Sequence, residues 1–429
     1  MLAIAHYRID DIQLFTKQAL QWASLFNSAC CFHSQGHTKD PYHAIDILIA
    51  AGAETELKID HEGQSFARIQ HFLTNYPQRF IPGFLTYDLK NELENLQSRQ
   101  PDEQDMPAAY FFIPQHIIQV NGSQITIQSN NPSKVYQEIT SSNVSIASVD
   151  FKGILKAKMD KEQYFQTFHQ LQKHIHRGDI YEINLCQEFF AEQAHLNPLA
   201  AYEHLSTISP TPFSCYFKAH ENHILSASPE RFLAKRQHQL ISQPIKGTAP
   251  RGNTPQEDDL YRRLLQQNEK EISENVMIVD LVRNDLTRCA QPGSVHVTEL
   301  MGLYSFQQVH QLISTIVAQE KKDIAPIDTI KALFPAGSMT GAPKISAMKL
   351  IDRYEFSRRG LYAGSIGYFA ENGDYDFNVV IRTLLYNAQK KRLSFHVGGA
   401  ITATATAEKE YTECFLKAKA IMELLSYKY

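Results

Sequence analysis

Residues 363–386 read AGSIGYFAENGDYDFNVVIRTLLY. Apolar and aromatic residues flank Asn372-Gly373, a dipeptide suited to a two-residue hairpin turn. The stretch predicts two antiparallel strands, with Arg382 set among apolar neighbours on a central strand. The same grammar recurs upstream. YFFIPQHIIQVNGSQITIQS (110–129) reads as a hairpin turning at Asn121-Gly122. ILSASPERFLA (224–234) and QLISQPIKGT (239–248) read as two strands around a polar turn, and SVHVTELMGLYSF (294–306) and QVHQLISTIVA (308–318) are β-rich. The apolar run 44–53 reads as a buried strand. Helical spacing marks 11–26, 159–178, 258–285, 343–354 and 407–426. The second of these carries Asp160 as N-cap with Gln163 at the capping-box position. Hairpin-joined strands with helices between them predict an α+β fold with antiparallel sheet. The polar stretch 98–107 is a loop. A boundary near 140–152 divides an N-terminal region, 1–148, from a larger unit, 149–429.

Composition narrows the function classes. The chain has 429 residues, 43% hydrophobic and 21% charged, enough apolar material for a large core. Its net charge of −4 offers no footprint for nucleic acid or an anionic membrane. No apolar run is long enough to span a bilayer. The N-terminal MLAIAHYRIDDIQLF meets Asp10 and Asp11 too early for a signal peptide. Six scattered cysteines do not form a disulfide framework. These features predict a soluble, reduced, cytoplasmic protein. Dinucleotide, P-loop and zincin signatures are absent, and GSMTG (337–341) has Met339 where a nucleophile elbow needs serine. Cys30, Cys31, His33 and His37 lie close in sequence but match no zinc spacing.

Several residues then stand out by chemistry. EKEISENVMIVDLVRND (269–285) places Glu271 and Glu274 on one helical face, and EKEYTECFLKAKAI (408–421) does the same for Glu410, Glu413 and Lys417. Both contexts are largely apolar. Four converging carboxylates need a cation, and hard oxygen ligands suit Mg2+; spacing alone also fits two solvated faces. Lys246, in QPIKGT, is held at a strand end between Ile245 and Gly247, either as a snorkelling surface residue or as a functional amine. A nucleophilic lysine must be partly neutral, a state that burial or a neighbouring metal promotes. Glu230 lies on the preceding strand, and an acid there needs the opposite shift, from an apolar pocket. Of the 19 glycines, twelve fall between Gly247 and Gly399. Backbone amides at such turns can grip a carboxylate. Arg382, with Tyr362 and Lys417, would complete an anion pocket; the same residues also fit turn chemistry plus a structural ion pair.

Taken in order, SPERF, PIKGTAPRG, ENVMIVDLVRNDL, FPAGSMTGAPK, RGLYAGSIGY, VVIRTLLY, VGGAIT and EKEYTECFLKA resemble the chorismate-binding enzyme family from about Phe151 onward. PGFLTYDL (82–89) looks like the family's weaker N-terminal part. The resemblance implies two packed, roughly orthogonal antiparallel sheets with helices outside. It also implies Mg2+ held by Glu274 and Glu413, with Glu271 and Glu410 acting through metal-bound waters. Lys246 matches a nucleophile and Glu230 a general acid. Gly247 belongs to the substrate site, and Thr248, Tyr362, Arg382, Gly398, Gly399 and Lys417 match substrate-holding positions. Within the family the PIKGT form resembles the aminodeoxychorismate synthases, which aminate chorismate at C4 with ammonia from a separate glutaminase (amidotransferase component II) subunit. Anthranilate synthases usually carry Ala in place of Lys246. A catalytically silent chorismate-binding protein is the other rival, and the intact acid, lysine and metal positions argue against it.

Three departures from the family pattern are visible. Gln311 stands where the family commonly has His, with His310 one residue earlier and, on a strand, on the other face. Ala400 replaces a third glycine in the Gly398-Gly399 segment. Glu182 stands where many relatives have Gln and where isochorismate and salicylate synthases have a water-activating Lys, which argues against those two activities.

Overall fold

The hairpin at Asn372-Gly373 forms, with Ser365–Phe369 pairing antiparallel to Tyr375–Asn378. So does the hairpin at Asn121-Gly122, between Ala109–Asn121 and Gln124–Ser129. The structure, a computed structural model, describes residues 2–38, 40–144, 148–307 and 309–427. Its twenty strands join in one antiparallel network, and two arms of that network meet at Ala109–Asn121. One arm runs from this strand through Ile47–Ile59, Ser28–His33, Phe213–Ala219, Asn222–Ser228, Thr383–Asn387 and Arg392–Ile401 to Glu182–Ala191. The other runs through Ile81–Leu85, Ser365–Phe369, Tyr375–Asn378, Arg231–Arg236 and Gln239–Gln243 to Val309–Gln319. Ile245–Pro250 and His296–Ser305 also pair with that last strand.

Side-chain alternation explains why the arms pack against each other. Cys30, Phe217, Ile224 and Leu385 of the first arm share one core with Phe84, Ile366 and Tyr368 of the second. The neighbours Cys31, Tyr216, Leu225 and Leu384 point the other way, into a core closed by the helices Lys161–Arg177 and Ala407–Leu424. Beyond the second arm, the helices Ser65–Asn75, Glu269–Thr287 and Pro326–Leu333 close a third core. The result is the expected α+β arrangement of packed sheet with helices outside. Asp160 and Gln163 complete the capping box of the helix Lys161–Arg177.

Three sequence expectations are corrected. The helix expected over 258–285 is two helices, Pro255–Gln267 and Glu269–Thr287, because Asn268 leaves helical geometry and caps the second through the amides of Lys270 and Glu271. The strand expected over 224–234 breaks at Pro229–Glu230, just after Ser228, whose Oγ donates to the Val379 carbonyl, 2.6 Å. Arg382 is not on a strand: it sits in a bend with φ 51°, just before Thr383–Asn387. The boundary expected at residue 148 adjoins residues 145–147, which lie outside the described residues. Strands from both sides of it pair: Ser28–His33 with Phe213–Ala219, and Ile81–Leu85 with Ser365–Phe369. All six cysteines are buried and unpaired. Among the described residues, no helix is long and apolar enough to cross a membrane.

Candidate active site

Lys246, Gly247 and Thr248 lie on Ile245–Pro250, the short strand that pairs with Val309–Gln319. Gly247 has φ 97°, a left-handed value that favours glycine. A Cβ there would stand 3.3 Å from Glu271 Oε2, so the missing side chain lets the helix Glu269–Thr287 come close. That helix carries Glu271 and Glu274 near its first turn, and the helix Ala407–Leu424 carries Glu410, Glu413 and Lys417. Glu230 comes from the break between two strands, Tyr362 from the turn before Ser365–Phe369, and Gly398 and Gly399 from Arg392–Ile401. Every one of these residues, together with Arg382 and excepting Gly399, lines a single pocket. Gly399 lies behind it, where a Cβ would meet Glu410 Oε2 at 2.8 Å.

Lys246 is buried, and its ammonium donates to Glu182. Burial opposes its charge, but the carboxylates of Glu182 and Glu274 outweigh burial and hold the amine above the ordinary lysine value. This corrects the expectation of a lowered value: the protein's own carboxylates keep Lys246 charged. The side-chain amide of Asn275 fixes the Lys246 carbonyl at 3.1 Å, and Ser314 Oγ in turn donates to Asn275, 2.6 Å. Glu230 behaves as expected. Burial raises it to about 7, against the lowering effect of a 2.6 Å hydrogen bond from Ser338 Oγ. The two groups are therefore pushed apart, one toward a retained proton on oxygen and the other toward a charged amine.

Arg382 makes no side-chain hydrogen bond or ion pair among the described residues; desolvation lowers it to about 10, against the opposing pull of Glu230. A half-buried guanidinium with no carboxylate in contact is a bidentate site for an anionic ligand. Tyr362 stacks on His396 with ring centroids 5.1 Å apart, and its hydroxyl accepts from Cys186 Sγ at 3.4 Å. Lys417 bonds the Gly398 carbonyl at 2.9 Å and pairs with Glu413 at 2.7 Å.

The four glutamates face the one pocket, and lysines balance them. Lys270 reaches Glu410 at 2.8 Å and Glu274 at 3.5 Å, while Lys417 holds Glu413 below the ordinary carboxylate value. Burial raises Glu271 and Glu410, and Glu274 to about 7. Among the described residues Glu410 Oε2 is buried without a hydrogen-bond partner, and Glu274 Oε1 has only the 3.5 Å ion pair with Lys270. Carboxylate oxygens so sparsely partnered in a pocket of hard donors fit a dication such as Mg2+. Among the described residues, no three acidic, His or Cys side chains are already arranged as a metal cluster.

Sequence reasoning missed Ser338, which holds Glu230, and Lys270. The spacing of Lys270 to Glu274, four residues on one helix, was a readable signal for the latter. Ser338 sits 108 residues from Glu230, and no local pattern joins them. Glu182 and Gln311 were noticed as departures but given no role. Gln311 lines the pocket, whereas His310 is turned away to Ser305, 2.8 Å, and Asp258, 2.9 Å.

Residues 27–423 match the family model described as chorismate binding enzyme. The aminodeoxychorismate synthase component 1 of Klebsiella aerogenes is 36% identical over 80% of this chain and 76% of its own length. The chloroplastic aminodeoxychorismate synthase of Arabidopsis thaliana is 43% identical over 62% of this chain. The chain spans about a third of the length of that relative and of two similar ones, from Streptomyces griseus and Oryza sativa (30%, 38% and 32%). The crystal structure of anthranilate synthase component I from Streptococcus pneumoniae superposes with a TM-score of 0.76 at 24% identity, over 91% of this chain and 95% of that one, a likeness of fold.

Proposed function

The chain belongs to the chorismate binding enzyme family, and on that footing we propose that it is an aminodeoxychorismate synthase component I, aminating chorismate at C4 with ammonia. The observation that carries this reading is the buried Lys246 in the same pocket as a Glu230 raised to about 7. The names of the relatives from Klebsiella and Arabidopsis support it.

In this reading Arg382, Tyr362, Thr248, the Gly398-Gly399 backbone and Lys417 hold the substrate. Lys246 must lose a proton before it attacks, and Glu182 is the carboxylate in contact to take it. The free amine forms a bond to C2 of the ring. The double bonds shift, the C4–O bond breaks, and Glu230 gives its proton to the departing hydroxyl, which leaves as water. Ammonia then bonds to C4, the double bonds shift back, and the C2–N bond breaks to return Lys246 as a neutral amine. The product is 4-amino-4-deoxychorismate with its new nitrogen protonated. Solvent reprotonates Glu230.

Enzymes of this family are generally Mg2+-dependent. Glu274 and Glu413 would hold the ion, with Glu271 and Glu410 acting through its waters, and bound Mg2+ would neutralise the ring carboxylate and fix its geometry. The ammonia comes from a separate glutaminase subunit, a reading that the name component 1 of the Klebsiella relative supports by pointing to a second component, and the reaction belongs to the cytoplasm.

A direct test is intact-mass analysis after mixing the chain with chorismate and Mg2+ in the absence of ammonium. The expected result is a covalent adduct of one chorismate less one water, mapped to Lys246 and absent in Lys246→Ala. Full amination activity in Lys246→Ala would refute the nucleophile.

A further inference from the structure

Gln311 lines the pocket and is more buried than its other uncharged polar residues Asn184 and Ser338. It lies opposite Thr248 in the ladder between Ile245–Pro250 and Val309–Gln319. It is 3% exposed, and its Oε1 makes no hydrogen bond among the described residues. A buried acceptor left without a donor is destabilising, so such an atom in a binding pocket points to a ligand that brings N–H or O–H groups. Thr248 also lines a wider groove that opens beside the pocket, and Val309, two residues before Gln311 on the same strand, lines that groove too. Gln311 itself lines the pocket and not the groove, and its ladder partner Thr248 lines both.

Ammonia places particular demands on a site. It offers three N–H donors and one lone pair, and the lone pair must stay free to attack carbon. Lysine or arginine donors would engage the lone pair. A carboxylate would favour ammonium, which has no lone pair to offer. A neutral acceptor binds the N–H side alone. Of the pocket's other side-chain acceptors, Glu230 takes Ser338, and Asn184 Oδ1 and the Tyr362 hydroxyl take Cys186 Sγ. His396 Nδ1 is also without a partner among the described residues, but His396 stacks on Tyr362 and sits on Arg392–Ile401, a strand that does not pair with the strand of Gln311.

We infer that Gln311, with Thr248 beside it, is the seat for the ammonia that attacks C4, an assignment that rests on the amination reading above. Gln311 Oε1 accepts one N–H and turns the lone pair toward the ring. The residue forms no bond and moves no proton. It sets where the nitrogen waits while Lys246 occupies C2.

The test is steady-state amination by the full chain with chorismate, Mg2+ and ammonium chloride at one fixed alkaline pH, varying each substrate with the other saturating. Gln311→Met keeps the side-chain length and removes the acceptor; Gln311→Leu is the second variant, and thermal melting shows which of them folds like the parent. The expected result is a KM for ammonium raised about tenfold, the loss of one hydrogen bond to a neutral partner, with the KM for chorismate unchanged. An unchanged KM for ammonium, or a KM for chorismate that rises with it, overturns the assignment. If the parent chain makes no aminated product at any ammonium concentration, the functional reading falls and takes the ammonia seat with it. If the parent aminates and the variants do not differ in ammonium KM, only the seat falls.

Discussion

Glu230 is a residue through which pH acts on the proposed chemistry. Burial raises it to about 7, so it keeps its proton in the range where solvent-exposed glutamates have lost theirs. As an acid it must be protonated to release the C4 hydroxyl as water. The rate at saturating chorismate is therefore expected to fall as pH rises through about 7, and Glu230→Gln is expected to lose that limb together with about a hundredfold or more of the rate. A rate–pH profile of the two proteins checks both. Stability has the same sign. A folded-state value raised above the ordinary 4.5 contributes stability below that value, and the contribution is lost as pH rises through the folded value. Glu230→Gln should accordingly gain in melting temperature over the parent at pH above 7 and not below 4.5. That a Glu230 acting as an acid needs an apolar pocket was legible from the SPERF segment and its pairing with QPIKGT. The charge state of Lys246 was not. It depends on Glu182, 64 residues away in sequence, and only the antiparallel ladders bring the two strands together.

The elements that hold the glutamates are set by short-range chemistry. Asn268 ends one helix and starts the next, and its side chain accepts from the amides of Lys270 and Glu271. Asn268→Ala is expected to cost about 1 kcal/mol, the usual worth of such a cap, read as a lowered midpoint in urea unfolding. Hairpins at Asn121-Gly122 and Asn372-Gly373 could be read from sequence because the turn residues and the alternation lie within a few positions of each other. The break at Asn268 could not, since apolar spacing continues through it and an asparagine in a helical pattern looks the same whether it caps or not. Arg382 misled for a related reason. Its neighbours alternate like a strand, but Val379 donates to the Glu230 carbonyl at 3.0 Å and the Arg382 carbonyl accepts from Ala227 at 3.1 Å. The first bond ties the preceding segment to Glu230, and the left-handed φ of 51° at Arg382 bends the chain just before the strand; Arg382 lines the pocket.

At the scale of the whole molecule, the N-terminal region and the catalytic region are fastened through common strands and through buried charge. Lys90 is fully buried and pairs with Asp352 at 2.7 Å. Removing one partner of a buried pair leaves a charge without compensation, so Asp352→Ala is expected to destabilise the chain by about 3 kcal/mol or more. Lys90→Met with Asp352→Leu should recover most of that loss, and denaturant melts of the three proteins decide it. The same fastening puts Lys246, Glu230 and four glutamates from separate parts of the sequence around one pocket. The central claim is that this pocket aminates chorismate at C4, and product identity tests it most directly. The chain is incubated with chorismate, Mg2+ and ammonium, with and without an aminodeoxychorismate lyase. The expected result is para-aminobenzoate only when the lyase is present; anthranilate as the main product, formed without it, would contradict the account.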